Sequence, residues 1–200
     1  MNSLLEHLRQ ETSDLHNQLH QHPFMLKLVD KKLSLEEYQS MLETFLIPWQ
    51  YLYQHKNYLK HNDLETEIDS KQKILHQDID HLKQITAKQK AWLTPLVKQS
   101  YLQKLNQEAI EPSVWGLSYT LFGSGLGAKV LKKTITQSLS LAPVNYLSHD
   151  KEHVAWRIVS SHLNNINIKD NVSVINSSKQ TFQFISDCLH LANIKQTSFN

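Results

Sequence analysis

The stretch Gly116-Leu-Ser-Tyr-Thr-Leu-Phe-Gly-Ser-Gly-Leu-Gly127 contains all four glycines of this 200-residue chain, between flanks that have the pattern of a helix. At about 100° per residue, Gly116, Gly123 and Gly127 lie within about 40° of one another on a helical wheel. Each glycine costs a helix interior about 1 kcal/mol relative to alanine, so a helix face without Cβ atoms needs a compensating reason. Two reasons are open: a flat or bulky group that lies against the backbone, or close packing of two helices.

The rest of the sequence predicts an all-α fold, because it has few glycines, five prolines and little sustained alternation of apolar and polar residues. Ser34-Leu-Glu-Glu37 is a capping box, and Pro112 lies where the first turn of a helix tolerates proline. Short connections indicate a single-domain multi-helix bundle over residues 1–200. Seven helices are predicted, at 3–20, 34–59 (bent near Pro48), 64–82, 92–105, 112–139, 150–163 and 173–191.

Composition narrows the class of protein. A formal charge of +2 with dispersed lysines argues against a nucleic-acid surface. No apolar run approaches the ~20 residues of a membrane span, and the N-terminus lacks the apolar core of a signal peptide, so we expect no membrane partner and a cytoplasmic location. The single cysteine, Cys188, has apolar neighbours in sequence and is expected in the core.

His16 is predicted on an apolar face of the first helix, together with Thr12. Arg9 precedes it by two turns at nearly the same angle, about 10 Å away along the axis. That separation suits a planar ligand whose centre is bound by the imidazole and whose anionic edge meets the guanidinium, and heme has this shape. A histidine on an apolar face is also common as a hydrogen-bonded core residue, and His20 lies only about 40° away, so the spacing leaves both interpretations open.

Two motifs resemble those of the heme oxygenases. Leu8-Arg-Gln-Glu-Thr-Ser-Asp-Leu-His16 resembles their first-helix signature, in which a basic residue, a threonine and the proximal histidine follow at fixed spacing. Tyr119-Thr-Leu-Phe-Gly-Ser-Gly-Leu-Gly-Ala-Lys-Val-Leu-Lys-Lys133 resembles their distal helix, especially the bacterial Gly-Ser-x-Leu-Gly form. Tyr146, Trp156 and Leu163 weakly resemble a later, aromatic-rich stretch of the bacterial members of that family. The resemblance implies a heme-oxygenase-like helical fold of the bacterial, biliverdin-producing type.

The resemblance also implies which residues hold the heme. His16 is expected as the axial iron ligand, and Arg9 as a partner of a heme propionate. Tyr119 and Arg157 are expected as further contacts at the carboxylate edge.

On the distal side, the resemblance implies that Gly123 and Gly127 let the backbone approach iron-bound dioxygen, with Ser124 as a further catalytic candidate. The sequence departs from the family pattern at three positions. Ser124 stands where mammalian members have an aspartate, Phe122 where bacterial members often have an acid, and Ala128 in place of a second glycine. The missing acid puts the route of proton delivery in question more than heme binding.

In this family the porphyrin is both cofactor and substrate. The implied reaction oxidises heme to biliverdin with release of CO and iron, using O2 and an external electron donor such as a ferredoxin, flavodoxin or reductase. Three alternatives are open. The missing acid favours a heme carrier or sensor. A thiamin-fragment hydrolase on a similar scaffold would need a nucleophile, for which Cys188 is a poor candidate, and the third alternative is a helical interaction module without a ligand.

Overall fold

The computed structural model describes residues 3–86, 95–125, 127–148, 152–165 and 171–197. Over these residues the chain is helical, as predicted, with two short 3-10 segments at Lys56–Leu59 and Tyr146–Ser148. The α-helices in the described residues are α1 (Leu4–His20), α2 (Pro23–Val29), α3 (Leu35–Gln54), α4 (Asn62–Thr86), α5 (Pro95–Leu105), α6 (Ile110–Gly125), α7 (Ala128–Ser138), α8 (Glu152–Asn165) and α9 (Asn171–Thr197). The ends predicted at residues 92 and 150 lie outside the described residues.

Capping residues explain where α1 and α3 begin. The Ser34 hydroxyl accepts the amide proton of Glu37 at 3.2 Å, and the Glu37 carboxylate accepts the Ser34 amide proton at 2.9 Å, which confirms the predicted capping box. Ser3 and Glu6 form the same arrangement at the start of α1. Helix α3 contains Pro48 and ends at Gln54, earlier than predicted.

Helix α2 was not predicted, because it lies between the first two predicted helices, at 3–20 and 34–59. Pro23 is the first residue of α2, where a missing amide proton costs least. The residue before it supplies the cap, since His22 Nδ1 accepts the amide proton of Phe24 at 3.2 Å. A helix of seven residues is too short to show a clear apolar period.

The prediction of one continuous glycine-containing helix over 112–139 was wrong. Helix α6 ends at Gly125 and α7 begins at Ala128. At the junction the Gly127 amide donates to the Ser124 carbonyl at 3.1 Å, three residues back, as in a 3-10 turn. Three glycines within five residues weaken the helix enough to let the chain turn there.

Helix α6 is central, since it packs against α9 most extensively and also against α8 and α3. Its residues from Ser113 to Phe122 are all buried. Gly116 lets α6 approach α9 closely, because an ideal Cβ at this position would lie 2.1 Å from Ser177 Oγ and 2.3 Å from the Val174 carbonyl oxygen. For Gly116, the packing interpretation is therefore the correct one.

A buried polar cluster fixes the 3-10 segment Tyr146–Ser148, which packs against α4 and α7. The Trp49 indole donates to the Tyr146 hydroxyl at 2.8 Å, and the Tyr146 amide donates to the Asp78 carboxylate at 2.8 Å. The Trp49 ring also meets Phe122 edge to face, with centroids 5.2 Å apart. Residues from α3, α4 and the 3-10 segment thus hold the end of α6 in place.

Two other features of the chain bear on function. Among the described residues, no helix combines the length and apolar character that crossing a membrane requires. Cys188 is fully buried, as expected, and burial, with a smaller contribution from Asp187, raises the pKa of its thiol to about 12. A thiol in this environment stays protonated and is a poor nucleophile.

We expect Gly116→Ala to lower the free energy of unfolding by about 1–3 kcal/mol or more, because its methyl group would overlap the α9 backbone. Urea unfolding measures this. Adding Ser177→Gly should restore little, since the Val174 carbonyl would still clash. Gly127→Ala is the control: among the described residues its Cβ would meet only the Ser124 carbonyl, at 3.6 Å, and it should change stability by less than about 1 kcal/mol. Equal effects of the two alanines would contradict the packing argument.

Candidate functional site

A hydrogen bond between α1 and α6 organises the candidate site. The Thr12 hydroxyl donates to the Leu8 carbonyl at 2.7 Å and lies 3.1 Å from the Tyr119 hydroxyl. Because Thr12 has already used its proton, Tyr119 is the donor in the second bond. Thr12 is 2% exposed, so the bond is shielded from water. It joins the two helices that carry the two sequence motifs.

His16 lies one turn beyond Thr12, where the buried face of α1 reaches the surface. Its side chain is exposed, and its ring centroid lies 4.4 Å from that of His20 and 6.1 Å from that of Phe182, edge-on in both cases. Burial of part of the ring, and to a lesser extent the nearby His20, lowers the pKa of His16 below its usual value. The imidazole is therefore neutral near pH 7, which is the form that binds metal ions.

Gly123 lies one turn beyond Tyr119 on α6, and an aromatic side chain of α8 lies over it. An ideal Cβ at Gly123 would be 3.3 Å from Cζ3 and 3.6 Å from Cη2 of Trp156. The Trp156 ring also lies 5.8 Å from the Tyr119 ring, centroid to centroid. We call the surface formed by Thr12, Tyr119 and Gly123, over which Trp156 lies, the Gly123 face.

The predicted single face of glycines is divided among three environments. Gly116 contacts α9, Gly123 faces Trp156, and Gly127 lies beyond the end of α6, where the one described atom near its Cβ position is the Ser124 carbonyl oxygen, at 3.6 Å. Ser124 is exposed, and its hydroxyl donates to the Leu121 carbonyl of its own helix at 2.8 Å. Gly116 and Gly123 lie at similar angles on a helical wheel, but they are two turns apart along α6, and α9 packs against the first while α8 packs against the second.

The two arginines predicted at the site, Arg9 and Arg157, lie on different helices and neither is part of the Gly123 face. Arg9 is exposed on α1, two turns before His16. Arg157 is exposed on α8 and lines a groove of about 570 Å³ together with Trp115 and His162. The groove lining includes neither His16 nor Tyr119. The residue before Arg157 on α8, Trp156, is the one that packs against Tyr119, and adjacent residues on a helix point about 100° apart.

A second groove, of about 700 Å³, lies between α1, α5 and α9. Leu15 belongs to its lining, with the stacked rings of Tyr101 and Phe184, whose centroids are 4.2 Å apart. The lining does not include His16 or Gly123.

Sequence analysis did not identify Trp156 and Thr12 as members of the site. The motif contained Thr12, but its partner Tyr119 lies 107 positions away, and no local pattern reports such a contact. Trp156 was noted only within an aromatic-rich stretch.

The sequence model of the heme oxygenase family, described as "Heme oxygenase", matches residues 2–190. This chain belongs to the heme oxygenase family. Two bacterial heme oxygenases share its fold. The protein from Leptospira interrogans is 19% identical with a TM-score of 0.72, over 94% of this chain and 98% of that one. Heme oxygenase-1 from the cyanobacterium Synechocystis sp. PCC6803, solved in complex with heme, is 16% identical with a TM-score of 0.75, over 100% and 99%.

The same fold also occurs outside the heme oxygenase family. A TenA homologue from P. horikoshii OT3 is 11% identical with a TM-score of 0.62, over 96% of this chain and 98% of that one. A search of curated proteins gave no significant match. Since similar folds host different activities, the family assignment rests on the sequence match.

The lowered pKa of His16 predicts how this ring titrates. We expect its pKa below the usual value of about 6.5 in NMR titrations of the ring protons. Because the folded state disfavours protonated His16, the stability that this group contributes is present above about pH 6.5 and is lost as pH falls through the folded-state pKa. His20→Asn should raise the His16 pKa only partly, because burial is the larger cause and remains. A His16 pKa above that of an unfolded histidine would contradict the geometry.

Proposed function

We propose that this member of the heme oxygenase family binds heme through His16 and oxidises it to biliverdin, releasing CO and iron. O2 is the oxidant, and an external protein supplies electrons. The match of residues 2–190 to the family carries the proposal, and the fold neighbour solved with heme supports it. When bound, the heme supplies both the dioxygen-activating iron and the substrate porphyrin.

His16 supports the proposal as the axial ligand. Its imidazole is exposed, so a metal can reach it, and its lowered pKa keeps it neutral. The Phe182 ring lies beside the imidazole, with centroids 6.1 Å apart and the two planes nearly perpendicular. His20 is the nearest competing ligand, with its ring centroid 4.4 Å from that of His16.

The residues of the Gly123 face fit a porphyrin, because the Cβ-free backbone at Gly123 already accommodates a flat aromatic ring. On this proposal Gly123 and Gly127 present backbone instead of side chains to the distal side. The Ser124 hydroxyl gives its proton to Leu121, so its oxygen is left to accept a hydrogen bond from water. A water held there would take the place of the distal acid that the chain lacks.

Arg9 and Tyr119 are proposed to orient the heme through its carboxylates. Arg9 is exposed on the helix that carries His16, and a guanidinium forms strong paired hydrogen bonds with a carboxylate. The Tyr119 hydroxyl proton now goes to Thr12 and would be redirected to a carboxylate oxygen. Arg157 is proposed as an outer contact, reached from the neighbouring groove.

The second candidate function is a heme carrier or sensor without catalysis. The observation in its favour is the Ser124 hydroxyl, which donates within its own helix and offers no acidic proton. Hemin titration followed by reductant in air separates the two functions. An oxygenase loses its Soret band and forms biliverdin, whereas a carrier keeps the band.

We expect His16→Ala to abolish the spectrum of imidazole-ligated heme while leaving helical content unchanged, since the exposed side chain adds little to the core. Absorption and circular dichroism spectra measure the two properties. His20→Ala is the matched control and should keep the ligated spectrum. The opposite result for the two variants would move the ligand assignment to His20.

Gly127→Leu tests the distal role. A side chain at Gly127 meets the Ser124 carbonyl only at the ordinary contact distance of 3.6 Å, so we expect a folded protein. His16 is untouched, so heme should bind with its usual spectrum. We expect biliverdin formation to stop, because the new side chain would fill the distal side. Normal biliverdin formation by this variant, assayed with reductant and O2, would remove Gly127 from the distal assignment.

A further inference from the structure

The three glycines with described surroundings differ in whether their neighbours can move. At Gly116 the neighbours are Ser177 Oγ and the Val174 carbonyl, and the latter is part of the α9 backbone. At Gly123 the three nearest atoms all belong to the six-membered ring of the Trp156 indole, the far end of a side chain. The space at Gly123 can therefore be vacated by a change of side-chain rotamer, and the space at Gly116 cannot.

The Trp156 ring is only partly buried, and its aromatic neighbour Tyr119 is tilted against it at 47°. A partly buried indole at the edge of a helix bundle has a route to solvent that a core side chain lacks. Compare Trp49, which is 1% exposed and donates to the Tyr146 hydroxyl. Of these two tryptophans that contact α6, Trp156 is the one able to leave its position.

The indole also resembles, in shape, the ligand that the proposed function requires. It is a flat aromatic group lying over the backbone of Gly123, within reach of Tyr119. A porphyrin at the Gly123 face would need the same volume, so the two cannot be present together.

We propose that Trp156 occupies the porphyrin position of the ligand-free chain and is displaced when heme binds. This inference rests on the proposed function. Trp156 is a positioning residue: it keeps the Gly123 face covered until heme arrives, and the need to displace it lowers the apparent affinity for heme. A chain whose binding-competent state is populated at roughly 10% binds its ligand about tenfold more weakly than a chain held open.

NMR of the free chain and of its complex with gallium protoporphyrin, a diamagnetic heme analogue, tests the displacement. The chain has four tryptophans, and Trp156→Phe identifies the Trp156 indole signals by their loss. We expect a nuclear Overhauser effect between the Trp156 Hζ3 proton and the Gly123 Hα protons in the free chain. It should disappear with one equivalent of the porphyrin. Its persistence in the 1:1 complex would overturn the proposal.

Stopped-flow binding of hemin provides a second, independent readout. Trp156→Ala should bind faster and about tenfold more tightly than the natural chain, and Trp156→Phe should fall between them. Val154→Ala, which truncates an exposed apolar side chain of the same helix, is the matched control and should not differ from the natural chain. Equal rates and affinities for all four proteins would also overturn the proposal.

The same measurements distinguish this inference from the proposed function. If the porphyrin binds through His16 while Trp156 stays over Gly123, only the displacement is wrong. If neither the natural chain nor Trp156→Ala binds a porphyrin, both the function and the displacement are wrong.

Discussion

The backbone contact between α6 and α9 at Gly116 is the constraint on which the rest of the arrangement depends. With the Val174 carbonyl 2.3 Å from where a Cβ would stand, no other residue type allows these two helices to lie this close. The contact continues one turn along at a buried hydrogen bond of 2.9 Å between Thr120 and Ser178. It fixes the depth of α6 in the bundle and therefore the position of every residue that α6 presents to α1 and α8.

Once α6 is held in this position, the residues of the Gly123 face lie one helical turn from one another along α6 and are met by α1. Tyr119 comes one turn before Gly123 and meets Thr12, which comes one turn before His16. The contact between α1 and α6 at this face is the Thr12–Tyr119 hydrogen bond, whereas α8 contacts Gly123 and Tyr119 only through the ring of Trp156. The face is thus rigid on the sides of α1 and α6 and adjustable on the side of α8.

The sequence predicted the features that local physics controls. Capping residues located the start of α3, and apolar periodicity gave all-helical structure, because both depend on residues within about one turn of each other. The break at Gly125–Gly127 was not predicted, since a helical wheel assumes the continuity it is used to test. The partner of Gly116 could not be predicted either, because Ser177 lies 61 positions along the chain and no periodic pattern links the two.

In the candidate site, too, the local features were predicted and the contacts between distant residues were not. The two motifs named His16, Tyr119 and Gly123 as candidates. The structure joins Tyr119 to Thr12, which lies one turn before His16 on α1, and places Trp156 over Gly123. Spacing also suggested one glycine face, whereas the structure assigns Gly116 to packing. The difference arises because side-chain angle on a helix is a local property, while the helix that packs against each level is set by tertiary structure.

The Tyr119–Thr12 bond bears on how the ligand-free chain would accept an anionic ligand. Breaking it removes one neutral acceptor contact from Thr12, whose hydroxyl proton stays bonded to the Leu8 carbonyl. Thr12 therefore keeps its own donor bond when Tyr119 turns away. A carboxylate acceptor would give Tyr119 a charge-assisted bond, which is roughly twice as strong as a neutral one. On the proposed function, the exchange favours the propionate, and the existing bond holds the phenol in place until the ligand arrives.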